Sequence, residues 1–175
     1  MKLHIGVGKA YLPGWVNLDI FSNVKCDICS HALAIPYPQE SFELIYASHI
    51  IEHLSRHLIQ SALTHWRSLL KPGGVLRLAV PDFDAIVSHY LVNGHDLTQL
   101  LGLLYGGQES QLNSHYIVFN EKLLTSYLKN VGFTKINRWD WRKTEHSNFD
   151  DYSQAYLPHL DKTGRLMSLN IEAIK

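Results

Sequence analysis

A short string rich in histidine and glutamate has the most evident capacity for chemistry in this sequence. Residues 49–53 read His-Ile-Ile-Glu-His. Zinc enzymes of one class use this H-x-x-E-H spacing, with two histidine ligands on one helix and a glutamate base. Such a site needs an α-helix and a third protein ligand, whereas this string directly follows the strand-like segment FELIYAS. We therefore expect no bound metal, and we expect Glu52 and His53 to cap and pack a helix start. A metallopeptidase and a divalent-cation site near the Glu-His-Leu sequence are the weaker alternatives.

Two cysteines, Cys26 and Cys29, form a lone C-x-x-C pair. A redox or metal pair is one interpretation of this spacing. A structural zinc site takes four ligands, however, and the chain has no second C-x-x-C. Two partly buried thiols without a chemical role are therefore the simpler interpretation.

A glycine turn and an acidic residue lie at the ends of the first two strand-like segments. Gly6 and Gly8 follow the apolar segment LHI, where glycines allow a ligand to approach the backbone closely. Asp19 ends the alternating segment WVNLDI, and an acid there is able to accept hydrogen bonds from both hydroxyls of a ribose. The G-x-G-x-x-G fingerprint is incomplete, and the short stretch between Gly8 and Asp19 leaves no room for the usual helix.

Apolar periodicity predicts the elements that must position these residues. Short apolar or alternating segments predict strands, and apolar residues three or four positions apart predict helices. The turn Lys71-Pro72-Gly73-Gly74 is expected to end one helix. The predicted strands are 2–7, 15–20, 42–47, 75–80, 135–141 and 166–174, and the predicted helices are 55–70, 95–104 and 121–131. Strands alternating with helices imply an α/β fold with a mainly parallel sheet.

Four segments together resemble a class I S-adenosylmethionine-dependent methyltransferase. They are LHIGVG at 3–8, WVNLDI at 15–20, the block from Asp27 to Leu54, and LKPGGVLRLAVPD at 70–82. The resemblance implies one domain over residues 1–175 with a Rossmann-like three-layer α/β sandwich. Its seven-stranded sheet would be mostly parallel, with an antiparallel last strand at 166–174. The resemblance also implies S-adenosyl-L-methionine as the cofactor and methyl transfer as the reaction.

The same resemblance implies cofactor-binding roles for five residues. Gly6 and Gly8 would pass under the methionine part of the cofactor, and Asp19 would hold the ribose hydroxyls. Asp27 matches the family's acid on the adenine side, with Ile28 beside the ring. The family's helix after the glycine turn has no predicted counterpart in this sequence. A non-catalytic binding or interaction module with the same fold is therefore the main alternative.

Residues 47–49 end the strand FELIYAS, and the resemblance implies that they flank the sulfonium centre, with Ser48 as a cofactor contact. A methyl group on a sulfonium is already activated, so the protein mainly aligns the reactants and excludes water. A base is needed only for a hydroxyl acceptor. His49 is the candidate catalytic residue, because imidazole titrates near neutral pH.

Two further segments are expected to cover the site. Residues 139–160, the aromatic segment, mix aromatic and acidic residues without helical or strand periodicity. We expect an irregular flap whose aromatic faces suit a sugar or a ring, and a saccharide intermediate is the candidate small-molecule acceptor. The glycine-rich and polar residues 106–114 are expected to form a loop over the cofactor.

Composition argues against several other classes of function. Lys plus Arg and Asp plus Glu both number 16, so the formal net charge is zero and electrostatic binding of nucleic acid is not expected. No apolar stretch approaches the roughly 20 residues that cross a bilayer, and residues 1–8 do not resemble a secretory leader. We therefore expect a cytoplasmic enzyme without a membrane partner. The oligomeric state stays open, with a homodimer among the alternatives.

Overall fold

A seven-stranded sheet forms the centre of the computed structural model, which describes residues 1–158 and 161–175. The strands are β1 (Lys2–Ile5), β2 (Val16–Asp19), β3 (Ile28–Cys29), β4 (Phe42–Ser48), β5 (Leu70–Pro81), β6 (Thr134–Arg138), β7 (Tyr156–Leu157), β8 (Arg165–Leu166) and β9 (Ser168–Ile174). The sheet order is β3-β2-β1-β4-β5-β9-β6, and β7 and β8 form a separate hairpin. Neighbours from β3 to β5 are parallel, whereas β9 is antiparallel to both β5 and β6. The predicted antiparallel last strand is confirmed.

Helices and short 3-10 turns connect these strands. The α-helices of the described residues are α1 (Ile59–Leu69), α2 (Phe83–Val92), α3 (Leu101–Tyr105) and α4 (Glu121–Asn130). The 3-10 turns are Ile51–His53, Gln111–Asn113 and Trp141–Lys143. None of the helices within the described ranges is long and apolar enough to cross a membrane.

One face of the sheet is covered by α1 and α4. The apolar residues of α1 recur three or four positions apart, which places them on one side of the helix. Its buried side chains are Ile59, Ala62, Leu63, Trp66 and Leu69. They join one core cluster with Leu3, Ile5 and Ile45 of the sheet and Leu124 and Leu128 of α4. Each fully buried side chain of this size stabilises the fold by about 1.5–3 kcal/mol.

The opposite face is covered by residues 139–158 of the aromatic segment in place of a helix; residues 159 and 160 of the predicted flap lie outside the described residues. Trp139, Trp141 and Tyr156 are buried in a cluster with Tyr46 of β4, and Trp139 Nε1 donates a hydrogen bond of 2.9 Å to the Leu78 carbonyl. Between β1 and β2 the chain forms turns but no helix, as the short spacing predicted. The irregular segment therefore shields the sheet surface that a helix would otherwise cover.

The glycine turn predicted to end α1 lies inside β5, which already begins at Leu70. The register between β4 and β5 shifts between Phe42 and Leu44. A Cβ on Gly74 would lie 2.9 Å from the Lys71 carbonyl oxygen. Glycine is therefore required for the irregular backbone that joins α1 directly to the strand.

The helices α2 and α3 differ most from the prediction, whereas α4 agrees with the helix predicted at 121–131. α2 was not predicted, because Ile86 is its only buried residue and the amphipathic pattern is weak. The Asp82 side chain caps its first turn, which is a sequence signal for a helix start. The helix predicted at 95–104 is reduced to α3, since Gly94 and His95 take left-handed φ angles of 67° and 61°.

Candidate functional site

A cavity of about 400 Å³ opens at the carboxyl ends of β1 and β2. Parallel α/β sheets bind ligands at this edge, and the volume lies in the range of small-molecule sites. Its walls come from the glycine turn, the turns after β2 and β3, the 3-10 turn after β4, and the loop 109–113. The lining residues are Ile5, Gly6, Gly8, Leu18, Asp19, Ile20, Phe21, Val24, Ser30, His31, Ala32, Ile50, His53, Leu54, Glu109, Ser110, Leu112 and Asn113.

Both glycines predicted to approach a cofactor line this cavity. Gly6 has a φ of 77°, and a Cβ at this position would overlap the side chain of Ile50. Gly8 has a φ of 50°, and open space lies where its Cβ would be. Gly6 thus lets the turn pack closely on Ile50, whereas Gly8 presents bare backbone to the cavity.

The Asp19 carboxylate lies at the end of β2 and is 5% exposed. Its Oδ2 accepts a hydrogen bond of 2.9 Å from the Gly8 N–H, and its Oδ1 accepts one of 3.0 Å from the Phe21 N–H. A carboxylate offers about four acceptor positions. Asp19 therefore fixes the glycine turn and keeps acceptor capacity for the hydroxyls of a ligand.

Asp27 and Ile28 are placed differently from Asp19. Asp27 precedes β3 at its amino end, where Oδ1 accepts from the Tyr11 hydroxyl at 2.8 Å and Oδ2 accepts from the Asn17 N–H at 2.8 Å. Burial raises the pKa of the Asp27 carboxyl, but these hydrogen bonds lower it by more, so the net pKa lies below its usual value. Neither Asp27 nor Ile28 is among the described residues that line the cavity. Their adenine-side roles stay predictions, and the visible role of Asp27 is to brace β2.

Ser48 ends β4 and His49 follows it, and both lie outside the described lining of the cavity. The Ser48 hydroxyl donates to the Asp151 carbonyl of the aromatic segment. His49 adopts a left-handed φ of 51°. Its Nε2 lies 3.2 Å from Ser168 Oγ and its Nδ1 lies 3.3 Å from Glu52 Oε1. Both ring nitrogens of His49 therefore face polar neighbours.

Glu52 is fully buried beside this histidine. No donor among the described residues reaches either carboxylate oxygen with hydrogen-bond geometry, although His49 Nδ1 is within ion-pair distance of Oε1. Burial raises the pKa of the Glu52 carboxyl, but the surrounding rings of His49, His53 and His115 lower it by more, and the net pKa is below its usual value. The histidines therefore stabilise a buried negative charge.

Several lining residues were not identified from the sequence as contacts. Ser30 and His31 follow β3, and a strand of two residues leaves no periodicity from which to predict it. Phe21 follows Asp19 and is 45% exposed. The loop expected over the cofactor at 106–114 does contribute, since residues 109, 110, 112 and 113 line the cavity. The general signal for such residues is a position directly after a strand.

Polar side chains also hold the aromatic segment onto β4. The Tyr46 hydroxyl donates to Asp151 Oδ2 at 2.6 Å, and His146 Nδ1 lies 3.4 Å from the same oxygen. Burial and the nearby Asp151 charge raise the pKa of the Tyr46 hydroxyl well above its usual value. Tyr152, by contrast, is 61% exposed, and its ring centre lies 5.7 Å from that of His49. Tyr152 is therefore exposed to solvent, unlike the buried tryptophans.

Comparison with known proteins identifies the family. A family model described as a methyltransferase domain matches residues 10–137, which is more than half of the chain. The chain belongs to this methyltransferase family. The predicted family, the enzyme class and S-adenosylmethionine as the family's cofactor are thereby confirmed. No curated protein sequence matches the chain.

Solved structures with the same fold are also methyltransferases. A methyltransferase from Archaeoglobus fulgidus, titled as S-adenosylmethionine-dependent, is 16% identical with a TM-score of 0.60, covering 99% of this chain and 85% of its own. One from Mesorhizobium loti is 15% identical with a TM-score of 0.58, covering 99% and 90%. The 1,6-didemethyltoxoflavin-N1-methyltransferase of Burkholderia thailandensis, solved with that substrate and S-adenosylhomocysteine, is 14% identical with a TM-score of 0.60, covering 99% and 70%. These similarities confirm the Rossmann-like fold.

The residues around the cavity fit S-adenosylmethionine. Gly8 leaves open the space that a Cβ would fill, and the buried Asp19 carboxylate has acceptor positions for ribose hydroxyls. Phe21 and Leu112 are 45% and 49% exposed and contribute apolar surface for a ring. When bound, the cofactor supplies an activated methyl group.

Proposed function

We propose that this chain transfers a methyl group from S-adenosylmethionine to a small-molecule acceptor. The proposal depends above all on Asp19, a buried carboxylate that bonds the glycine turn and lines the cavity in a chain of a methyltransferase family. Asp19 would hold the ribose hydroxyls, while Gly6 and Gly8 would admit the methionine part against bare backbone. The protein would thereby orient the cofactor before the acceptor arrives.

Exclusion of water is the second contribution that we assign to the chain. The loop 109–113 lies over one side of the cavity, and Leu112 presents an apolar side chain there. Ile20 and Phe21, in the turn after β2, are partly exposed and line the same cavity. Closing these surfaces over a ligand would bury them and favour the aligned, dry complex that methyl transfer needs.

A saccharide is the acceptor class that we propose. Tyr152 exposes an aromatic ring 5.7 Å from that of His49, and Phe149 of the same segment is also exposed. Aromatic faces with nearby polar groups suit sugar rings. Mass spectrometry of reactions with free sugars, nucleotide sugars and aromatic heterocycles would test this. A methylated saccharide is expected. Methylation of a heterocycle alone would overturn the acceptor class but support the reaction.

His49 remains the proposed base for a hydroxyl acceptor. Its ring is 11% exposed, and Nε2 would have to exchange Ser168 Oγ for the acceptor hydroxyl. Once a hydroxyl acceptor has been identified, His49→Ala is expected to lower turnover with it about 10²–10⁴-fold. The Kd of S-adenosylhomocysteine is expected to stay unchanged. Unchanged turnover in His49→Ala would show that alignment alone suffices.

Binding of S-adenosylhomocysteine tests the function most directly. Calorimetry is expected to show one site per chain, and the ligand at 100 times its Kd is expected to stabilise the fold by about 2.7 kcal/mol. The absence of binding at millimolar ligand would overturn the proposed methyl transfer. The non-catalytic binding module would then be the better account.

A further inference from the structure

We propose that Glu52, His53 and His115 bind one divalent transition-metal ion of the zinc class. One ligand atom from each residue lies within 4.8 Å of the other two. The sequence alone predicts no bound metal here, because no third ligand is evident beside the H-x-x-E-H string. The structure supplies that ligand from the segment before α4, 62 positions after His53.

The orientation of the two imidazole rings is the first support. His53 Nδ1 lies 3.2 Å from the Ser114 carbonyl oxygen, and His115 Nδ1 lies 3.0 Å from the Leu103 carbonyl oxygen. A carbonyl oxygen only accepts hydrogen bonds, so each Nδ1 carries the hydrogen. Each neutral ring then keeps its lone pair on Nε2. Histidine ligands of metals are typically held in this way by a backbone carbonyl on the other nitrogen.

The Glu52 carboxylate is the second, independent support. It is fully buried, and among the described residues no donor has hydrogen-bond geometry at either oxygen. A buried charge without such partners is costly unless it is paired or coordinates a metal. His49 Nδ1, 3.3 Å from Oε1, orients the carboxylate from the side of β4. A cation would satisfy the remaining acceptor positions.

The chemistry of these three groups selects the ion. Two imidazole nitrogens and one carboxylate suit Zn²⁺, which in catalytic sites takes three protein ligands and keeps a fourth position open. Mg²⁺ and Ca²⁺ prefer oxygen ligands throughout. Ligand bonds of about 2.0–2.2 Å in tetrahedral geometry would place the three atoms about 3.3–3.6 Å apart, so atoms now up to 4.8 Å apart would move closer on binding. Because His53 also lines the cofactor cavity, the ion would lie in the wall of that cavity.

Metal titration of the full chain tests the site without using catalysis. The chain is treated with a chelator, desalted and titrated with Zn²⁺ by calorimetry, with stoichiometry checked by elemental analysis. One ion per chain with a micromolar or lower Kd is expected. His115→Ala is expected to weaken binding by more than the roughly 10–100-fold that loss of an outer partner costs. Failure of the unaltered chain to bind zinc at 100 µM would overturn the proposal.

Two control variants separate this site from other zinc ligands. His57 is exposed, so His57→Ala is expected to bind zinc normally. The double variant Cys26→Ser/Cys29→Ser is also expected to bind zinc normally. The unaltered chain loaded with Co²⁺ is expected to lack thiolate charge-transfer absorption. Zinc binding that is lost with the cysteines but kept in His115→Ala would contradict the proposal.

Folding and cofactor binding are followed in the same samples. Glu52→Gln is expected to have the circular dichroism spectrum of the unaltered chain and to lose tight zinc binding. If Glu52→Gln unfolds, the zinc affinity of His115→Ala tests the site. The Kd of S-adenosylhomocysteine is measured with and without zinc. Zinc binding without S-adenosylhomocysteine binding would support the metal site and overturn the proposed function. Binding of S-adenosylhomocysteine without zinc binding would support the proposed function and overturn the metal site.

Discussion

The two carboxylates nearest the glycine turn differ in what surrounds them. Asp19 lines the cavity and accepts from the Gly8 backbone, whereas Asp27 accepts from Tyr11 and Asn17 at the amino end of β3. The position of each carboxylate along its strand explains the difference, since the carboxyl ends of parallel strands form the ligand edge. Only Asp19 is at that edge.

The Asp19→Asn variant tests this distinction at the residue scale. The amide keeps one oxygen for the turn but loses the charge, so the Kd of S-adenosylhomocysteine is expected to rise by an amount worth about 1–3 kcal/mol. Isothermal titration calorimetry measures the change.

Asp27→Asn is the matched control for that variant. It is expected to lower the urea midpoint of unfolding, because contacts with Asn17 are weakened, and to leave the Kd unchanged. An equal loss of affinity in both variants would instead support the adenine-side role that the family resemblance implied for Asp27.

At the scale of elements, the loop between α3 and α4 depends on one glycine. Gly106 has a φ of 74°, and a Cβ there would overlap the Asn113 carbonyl. Gly106→Ala is therefore expected to disturb the wall formed by residues 109–113 and to weaken S-adenosylhomocysteine binding by about 1–3 kcal/mol.

Gly102→Ala is the control, since Gly102 lies within α3 with open space around its Cβ position. This variant is expected to bind the ligand like the unaltered chain. Calorimetry and limited proteolysis of residues 106–114 measure the two variants together. Wild-type affinity in Gly106→Ala would show that the loop plays no part in the bound state.

The aromatic segment acts as a structural cover of the sheet. Trp139 is 8% exposed and bonded to the Leu78 carbonyl, so Trp139→Ala is expected to destabilise the fold by about 3–5 kcal/mol. Phe149 is 37% exposed, and Phe149→Ala is expected to change the free energy of unfolding by about 0.5 kcal/mol. Urea denaturation compares the two. Similar small effects would mean that the segment is not integral to the core.

The elements differ in how well the sequence predicted them, for physical reasons. α1 has a strong 3.6-residue period because one side packs on the sheet, and β4 is a buried apolar run; both were predicted. β3 is two residues long, and α2 buries only Ile86, so neither has a clear pattern. The mostly parallel sheet with an antiparallel last strand came from the family resemblance, whereas the order of the sheet strands was not predicted, since periodicity within a strand does not specify its neighbours.

The residues of the candidate site also differ in how well the sequence predicted them. Gly6, Gly8 and Asp19 were identified because each directly ends a strand or follows it in sequence. His115 lies far from His53 in the chain, and contacts between their segments bring them together, such as the hydrogen bond of 2.9 Å that the Tyr116 N–H donates to the Glu52 carbonyl. Side-chain clusters of this kind depend on tertiary packing, which local spacing does not encode.

At the scale of the whole molecule, buried histidines make stability depend on pH. Burial lowers the pKa of His4 from 6.5 to about 4, with smaller effects of nearby Asp151, Asn17, His146 and Asp19. Between these two values the unfolded chain binds a proton that the folded chain does not. Stability therefore falls as the pH drops from about 6.5 to about 4.

His4 stacks against Tyr46 with ring centres 5.3 Å apart. His4→Phe keeps an aromatic ring there and removes the titratable group. The unaltered chain is expected to lose about 2 kcal/mol through His4 between pH 7 and pH 5, and the variant is expected to lose correspondingly less. Urea unfolding at both pH values measures this, with the exposed His57→Asn as the control. An equal loss of unfolding free energy between pH 7 and pH 5 in His4→Phe and the unaltered chain would show that folding does not lower the pKa of His4.

The position of β9 has a consequence for synthesis of the chain. β9 forms hydrogen bonds with both β5 and β6, although residues 168–174 leave the ribosome after both of them. Until then, each of those strands presents an unpaired backbone edge, and such edges pair readily with other chains. We expect nascent chains stalled before Ser168 to be held by chaperones and cut readily by protease. Chains stalled once β9 has emerged are expected to escape chaperone binding and to resist the protease, because β9 then forms hydrogen bonds with the free edges of both β5 and β6.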